Sequence, residues 1–330
     1  MSGVKNIFPS DMLAKFRILE VGYTEDSVAT SYENFSDWID KGNHAGMSYL
    51  ADERKDKRRD IKNYFPNFKS AFVFLFDYRR EKLEALNHFN SDKSNGLKIG
   101  AYTLYDGGAD YHLEIKKKLA KLSEHLLTKR PDLKYLLSLD TQPILERDLA
   151  YRAGLGWFGK NSMLINKKYG SYFLIGSILC DQSFSFQTKF IDSDHCGSCL
   201  ACIDACPTNA IDLITRTVDS KLCIPYYTIE MFNELSPPPK GYEKMDEIFG
   251  CDICQDVCPW NSKPLFERSL GVNDNETSNS VREFFLEQSR ESILSELKIM
   301  SKKGYKRKFK NTSFERTGRD GLIKNITNKK

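Results

Sequence analysis

The 330-residue chain sets 49 Lys and Arg against 45 Asp and Glu, a net charge of +4, with 40% hydrophobic and 12% aromatic residues. That balance excludes a disordered polyelectrolyte, and no apolar run approaches the ~18 residues of a membrane helix. The opening stretch MSGVKNIFPSDM shows no export signal, so nine cysteines point to metal ligation in the cytoplasm instead of disulfides.

The length suits about two domains, each with its own core. The first fifty residues read as helical, with Ser31 capping a helix to about Lys41 and Gly42 at its stop. Ala71 to Phe76 is a continuous apolar run suited to a buried strand. From Tyr111 to Arg130 the residues Ile115, Leu119, Leu122 and Leu126 recur at helical spacing. A short strand is expected at Tyr135 to Leu139, a helix around Leu145 to Ala153, and a strand pair from Tyr172 to Cys180. This alternation predicts an α/β N-terminal domain over residues 1–182. Residues 183–262 hold eight of the nine cysteines, four of them in the run Cys196-x-x-Cys199-x-x-Cys202-x-x-x-Cys206-Pro207, and so read as a compact cluster-binding domain of ferredoxin type, α+β and stabilised by metal. Within it Ser236 to Gly241 is an irregular connector. In the helical, basic segment 263–330, a polar link from Gly271 to Ser280 precedes a helix with a capping box of Ser280 and Glu283. The run Lys302 to Lys310 mixes six basic residues with Tyr305 and Phe309, a composition suited to a phosphate backbone with exposed bases and equally to a solvated terminal segment.

Cysteine spacing carries the chemistry. Cys196-x-x-Cys199-x-x-Cys202-x-x-x-Cys206-Pro207 is followed by Cys251-x-x-Cys254-x-x-x-Cys258-Pro259, with Cys223 between. Three thiolates at two-residue gaps wrap corners of one cubane, and the cysteine before proline ligates the other, as in two-cluster ferredoxins. The expected ligand sets are Cys196, Cys199, Cys202 and Cys258 for one 4Fe–4S cluster, and Cys206, Cys223, Cys251 and Cys254 for the other. Structural zinc, with two separated Cys-x-x-Cys pairs, fits the Cys-Pro endings poorly. Cys180 is left over and reads as a small buried hydrophobe.

Gly154-Leu155-Gly156-Trp157-Phe158-Gly159 matches the dinucleotide fingerprint in letters, but a helix-like stretch precedes it where a strand is needed. It reads as a glycine-rich turn where backbone approaches a ligand, with Lys160 and Asn161 at the ligand's polar edge. Asp140 follows a strand and is either a proton donor or a turn cap before Pro143. His195 abuts a cluster ligand but the cysteines already fill both sets; His112 is a catalytic candidate or simply a helix-start residue. No Asp-x-His-x-x-Gly cobalamin motif occurs.

Over most of its length the sequence resembles the epoxyqueuosine reductases, iron–sulfur and cobalamin enzymes that act on tRNA. The resemblance is carried by Gly46 to Leu50, Asp110-Tyr111-His112, Asp140 to Arg147, Ala153 to Asn161, the cysteine runs, Gly250 to Asn261 with its Gln-Asp-Val-Cys-Pro-Trp-Asn ending, and Arg316 to Arg319 with Asn325. It implies reduction of epoxyqueuosine to queuosine in the anticodon loop, by low-valent cobalamin fed from two 4Fe–4S clusters. It puts Asp140 on the family's proton donor and Lys160, Asn161 and Leu164 in its cobalamin-contacting stretch. Arg58 matches a cobalamin-contacting arginine, with Arg54 and Arg59 competing for that role. Longer members carry C-terminal helical repeats that help to hold tRNA; the short helix and basic tail are the expected replacement here. The expected protein is a cytoplasmic, monomeric oxidoreductase with tRNA and an external electron donor as partners and no membrane. The alternatives are a cobalamin-dependent reductase of another substrate, like the reductive dehalogenases, and a two-cluster electron carrier.

Overall fold

A computed structural model describes residues 7–184, 186, 194–231, 237–269 and 279–328. Its strands, in chain order, are β1 (Ile18–Thr24), β2 (Ser70–Asp77), β3 (Lys98–Ile99), β4 (Tyr135–Ser138), β5 (Trp157–Phe158), β6 (Leu164–Ile165), β7 (Phe173–Cys180) and β8 (Glu247–Phe249). The chain packs as two compact units. One comprises Met1–Asp77, Glu114–Cys199 and Thr215–Thr217; the other comprises Tyr78–Leu113, Leu200–Ile214 and Val218–Lys330. This grouping differs from the linear division at 182 and 262, because residues 78–113 pack with segments far downstream.

The first unit is built on a four-stranded sheet of order β1-β2-β7-β4, in which every pairing is antiparallel. The expected mixture of helix and strand is present, but the α/β reading is corrected here, since that class implies a mainly parallel sheet. The cause lies in β2, which is buried along its whole length. A strand covered on both faces loses the in–out alternation of ordinary antiparallel strands and reads like a parallel one. Phe72, Phe74 and Phe76 alternate with Ala71, Val73 and Leu75, and each set faces its own layer. The first layer receives the helix Tyr111–Lys129, whose Ile115 and Leu119 reach Gly176 of β7. The second receives Leu149, Ala150 and Ala153, from the helix Glu146–Arg152 and its end.

Strand β1 corrects the all-helical reading of the first fifty residues. Glu20 and Gly22 interrupt its apolar pattern, and both have tertiary reasons to be there. Glu20 accepts a hydrogen bond from Asn166 Nδ2 at 2.9 Å, and Gly22 lies where a Cβ would meet the Ala153 carbonyl oxygen at 2.5 Å. The helix Tyr32–Asp40 does follow Ser31, though Ser31 makes no side-chain cap. The expected strand pair before Cys180 is the single strand β7.

In the second unit β3 and β8 pair in parallel. An aromatic core of Phe249, Phe284, Phe285, Phe309 and Phe314 joins β8 to the C-terminal helices. The residue that caps the helix Ser280–Phe285 is Asn279, whose side chain accepts from the N–H groups of Val281 and Arg282. The Ser280 capping box is therefore displaced by one residue. Most of the polar link, 271–278, and Ser236 of the connector lie outside the described residues. Among the described residues no helix is long and apolar enough to cross a membrane.

Candidate cofactor and electron-transfer site

In the first unit, β4 delivers the chain to Asp140, which adopts a left-handed φ of 53° and is exposed. The loop is tied down from within. Leu139 N–H donates to Gln142 Oε1 at 2.7 Å, and Asp140 N–H donates to Glu146 Oε1. Arg147, held in the field of the Asp140 and Glu146 carboxylates, donates to the Ser162 carbonyl oxygen. The Asp140 loop is thus linked to the turn of the β5–β6 hairpin. Glu146 and Arg147 do this positioning; both lie in the Asp140 to Arg147 motif, but their spacing alone assigns them no role, because a charged pair at a helix start is common.

The glycine-rich stretch forms that hairpin, with Trp157 opposite Ile165 and Phe158 opposite Leu164. A Cβ on Gly156 would lie 2.3 Å from the Ile165 carbonyl oxygen, so the close approach is between the hairpin's own strands. That corrects the ligand-approach reading for Gly156. Leu164 is buried in the core beside Leu155 and Ala153, and Asn161, also buried, accepts from Met163 N–H at 3.3 Å. Lys160 is 7% exposed and donates to the carbonyl oxygens of Gly197 at 2.7 Å and Cys199 at 3.0 Å.

Three arginines competed in the sequence, and their pairing separates them. Arg54 forks onto Asp52, and Arg59 pairs with Glu33 at 2.6 Å. Arg58 is 8% exposed, and its buried Nη1 has no hydrogen-bond partner; its guanidinium lies 5.7 Å from the Phe35 ring centroid. Burial, and then the charge of Arg54, depress its pKa. A buried guanidinium in that state is a fit for an anionic or carbonyl-bearing group.

All nine cysteines are free. Cys196 and Cys199 belong to the first unit and Cys202 and Cys258 to the second. Within the second, burial pushes the Cys223 thiol up to about 12, and the neighbouring Cys206 adds to this. Burial likewise raises Cys254, which also feels Cys223, Cys202 and Cys206, and Cys251, which feels Cys254. Cys254 thus lies within electrostatic reach of Cys223, Cys202 and Cys206, and Cys251 within reach of Cys254. Buried neutral thiols grouped in this way bind iron only by releasing their protons. Among the described residues, no three or more His, Cys, Asp or Glu side chains converge as for a single metal ion. The remaining thiol, Cys180, is fully buried, and burial pushes it to about 12, which fits the hydrophobe reading.

Acidic residues interleave with the second cysteine run. Lys82 lies 3.0 Å from Asp252 and 2.5 Å from Asp256. Burial alone would lower its pKa, but the two carboxylates outweigh this and raise it. His112 Nδ1 lies 2.7 Å from Asp110. The basic run forms the helix Lys302–Lys308, but Tyr305 and Phe309 are only 1% and 2% exposed. Both rings belong to the core, so the aromatic residues of this run are not part of an exposed surface. The cations remain outside.

A family model described as a 4Fe-4S double cluster binding domain matches residues 195–261. A second, described as epoxyqueuosine reductase QueG, DUF1730, matches residues 58–141. The epoxyqueuosine reductase of Cyclobacterium marinum is 36% identical over 313 residues, spanning 94% of this chain and 90% of that protein. The structure of epoxyqueuosine reductase from Streptococcus thermophilus has the same fold, with a TM-score of 0.77 at 21% identity over 99% of this chain and 80% of that one. Another epoxyqueuosine reductase, solved with an epoxyqueuosine-modified tRNA stem loop, matches with a TM-score of 0.71 at 22% identity, over 96% of this chain and 78% of that one.

Proposed function

The chain belongs to the epoxyqueuosine reductase family and is an oxidoreductase with a double 4Fe–4S cluster domain, and from that membership we propose that it reduces epoxyqueuosine to queuosine in the anticodon loop of tRNA. The observation that carries this reading is the 36% identity across 94% of the chain.

The reaction consumes two electrons and two protons, breaks both C–O bonds of the epoxide and releases water. Cobalamin, when bound, would supply a strongly reducing cobalt centre, and clusters held by the cysteines would supply single electrons drawn from an external donor. Asp140 donates a proton to the departing oxygen, from a loop that Glu146 and Gln142 hold by its backbone. Arg58 would hold a polar edge of the corrin, which its buried and unpartnered Nη1 supports; Asn161, next to Lys160 in the hairpin turn, and Leu164, at the start of β6, would be further contacts. Cys196, Cys199, Cys202 and Cys258 hold one cluster, and Cys206, Cys223, Cys251 and Cys254 the other. The spacing of the two cysteine runs, with Cys223 between them, carries that assignment. Exposed cations of the helix Lys302–Lys308 engage tRNA phosphates.

The test is turnover. Protein purified and reconstituted without oxygen, loaded with iron, sulfide and cobalamin, should convert epoxyqueuosine in tRNA to queuosine by mass spectrometry. Unchanged epoxide with every cofactor loaded and reduced would refute the assignment. Asp140→Asn should lose activity by about 100-fold or more while keeping the corrin absorbance of the parent; retained turnover would remove the proton donor from Asp140.

A further inference from the structure

Lys160 is spent on the first cysteine run. Its hairpin turn is closed by Gly159 N–H to the Met163 carbonyl oxygen at 2.8 Å, and its ammonium donates to the carbonyl oxygens of Gly197 and Cys199. Those groups lie in the short loop that Cys199 N–H closes onto the Cys196 carbonyl oxygen at 3.0 Å. A second tie runs parallel to the first. Ser162 Oγ donates to the Arg216 carbonyl oxygen at 2.6 Å, and the Arg216 guanidinium pairs with Asp194 at 2.6 Å. Asp194 in turn accepts the Cys196 N–H at 2.9 Å. The Trp157 and His195 rings meet edge-on with centroids 4.7 Å apart.

A buried ammonium held by carbonyl dipoles leaves much of its positive charge uncompensated. Among the described residues Lys160 forms no salt bridge; Asp194, itself paired with Arg216, is a carboxylate within its electrostatic reach. What stands beside it is a loop ending in two thiols. A cluster bound through thiolates is anionic and becomes more so on taking up an electron, so a fixed buried cation favours its reduced form. We propose that Lys160 is a positioning residue for the first cluster: it holds the Cys196–Cys199 loop in its ligating shape and raises the cluster's reduction potential, instead of serving chiefly as a corrin contact. The inference rests on the reading that Cys196 and Cys199 ligate iron.

The test uses Lys160→Met, which keeps the length and removes the charge and donors, and Lys160→Arg, which keeps the charge. Each is reconstituted anaerobically, assayed for iron and sulfide, and titrated with dithionite while the cluster signals are followed by electron paramagnetic resonance. In Lys160→Met one cluster should favour its oxidised form at least tenfold more at a fixed potential, about 59 mV for one electron. The other cluster should be unchanged, corrin affinity should stay near the parent's, and Lys160→Arg should recover most of the shift. Loss of one cluster's iron in Lys160→Met, recovered in Lys160→Arg, would support the same role through the loop's shape. Unshifted potentials with full iron, or weakened corrin binding alone, would overturn the proposal. So would loss of secondary structure in both variants by circular dichroism, because Lys160 would then be a general folding residue. Parent protein that binds no iron would instead refute the cluster reading beneath the inference.

Discussion

Arg54, Arg58 and Arg59 lie within six positions of one another, and only partners distinguish them. Arg59 is answered by Glu33, 26 residues upstream, and Arg54 by Asp52, two residues away. Neither pairing is visible in a string of alternating charges, so the sequence left three candidates. Cysteines are different, because a cubane demands short fixed gaps along the chain itself: seven ligand candidates stand out by spacing, and Cys223 follows from counting the one ligand the second run lacks. The buried Nη1 of Arg58 leads to a specific outcome. Arg58→Met should weaken corrin binding by about 10- to 100-fold, as expected for losing a charge-assisted hydrogen bond of about 1.5–3 kcal/mol. Arg54→Met should change it less than threefold, about 0.7 kcal/mol, since that guanidinium is neutralised at the surface. Titrating corrin absorbance against protein measures both, and equal losses would return the three arginines to a tie.

The β5–β6 hairpin shows how an element can be found for the wrong reason. Its glycines marked a tight place in the chain, but the tightness is internal: Gly156 faces the Ile165 carbonyl oxygen. Gly156→Ala should therefore destabilise the protein by about 1–3 kcal/mol through overpacking against backbone. Gly42, with a φ of 70° and open space around it, should cost about 1 kcal/mol as alanine, from the left-handed backbone alone. Denaturant midpoints of the two variants decide this, and a milder effect at Gly156 would mean that the hairpin opens readily. The helix Tyr111–Lys129 was evident beforehand, because four apolar residues at helical spacing need no tertiary context. Strand β1 was not: a buried glutamate and a packing glycine broke its pattern, and each answers to a residue more than a hundred positions away. Strand direction escaped for a related reason. Residue pattern reports how many faces are covered, and it is silent on which way the neighbouring strand runs.

Discontinuous packing was the least accessible level, because it depends on partners such as Lys82 and Asp252, 170 residues apart. It also decides how the protein should respond to losing its metal. Of the six cysteines of the second unit, five sit on or between the helices Ala201–Asp204 and Ile253–Asp256, of four residues each, and Cys258 follows just after the second. Helices of one turn have no stability of their own, so iron ligation must supply much of what holds them. The sheet of the first unit needs no such help, since Ala71 through Phe76 are wholly buried and β2 pairs with β7 along its length. Anaerobic removal of iron should therefore expose amides selectively. Hydrogen exchange should rise strongly in 201–204 and 253–256 while β2 and β7 keep their protection. Lys82 sharpens the expectation, because its two ion pairs anchor Asp252 and Asp256 and remain when the metal leaves. Lys82→Met in the iron-free protein should then release 253–256 further, with 201–204 unaffected. If β2 instead lost protection together with the cysteine helices, the sheet would depend on the metal as well, and stabilisation by iron would have to be global.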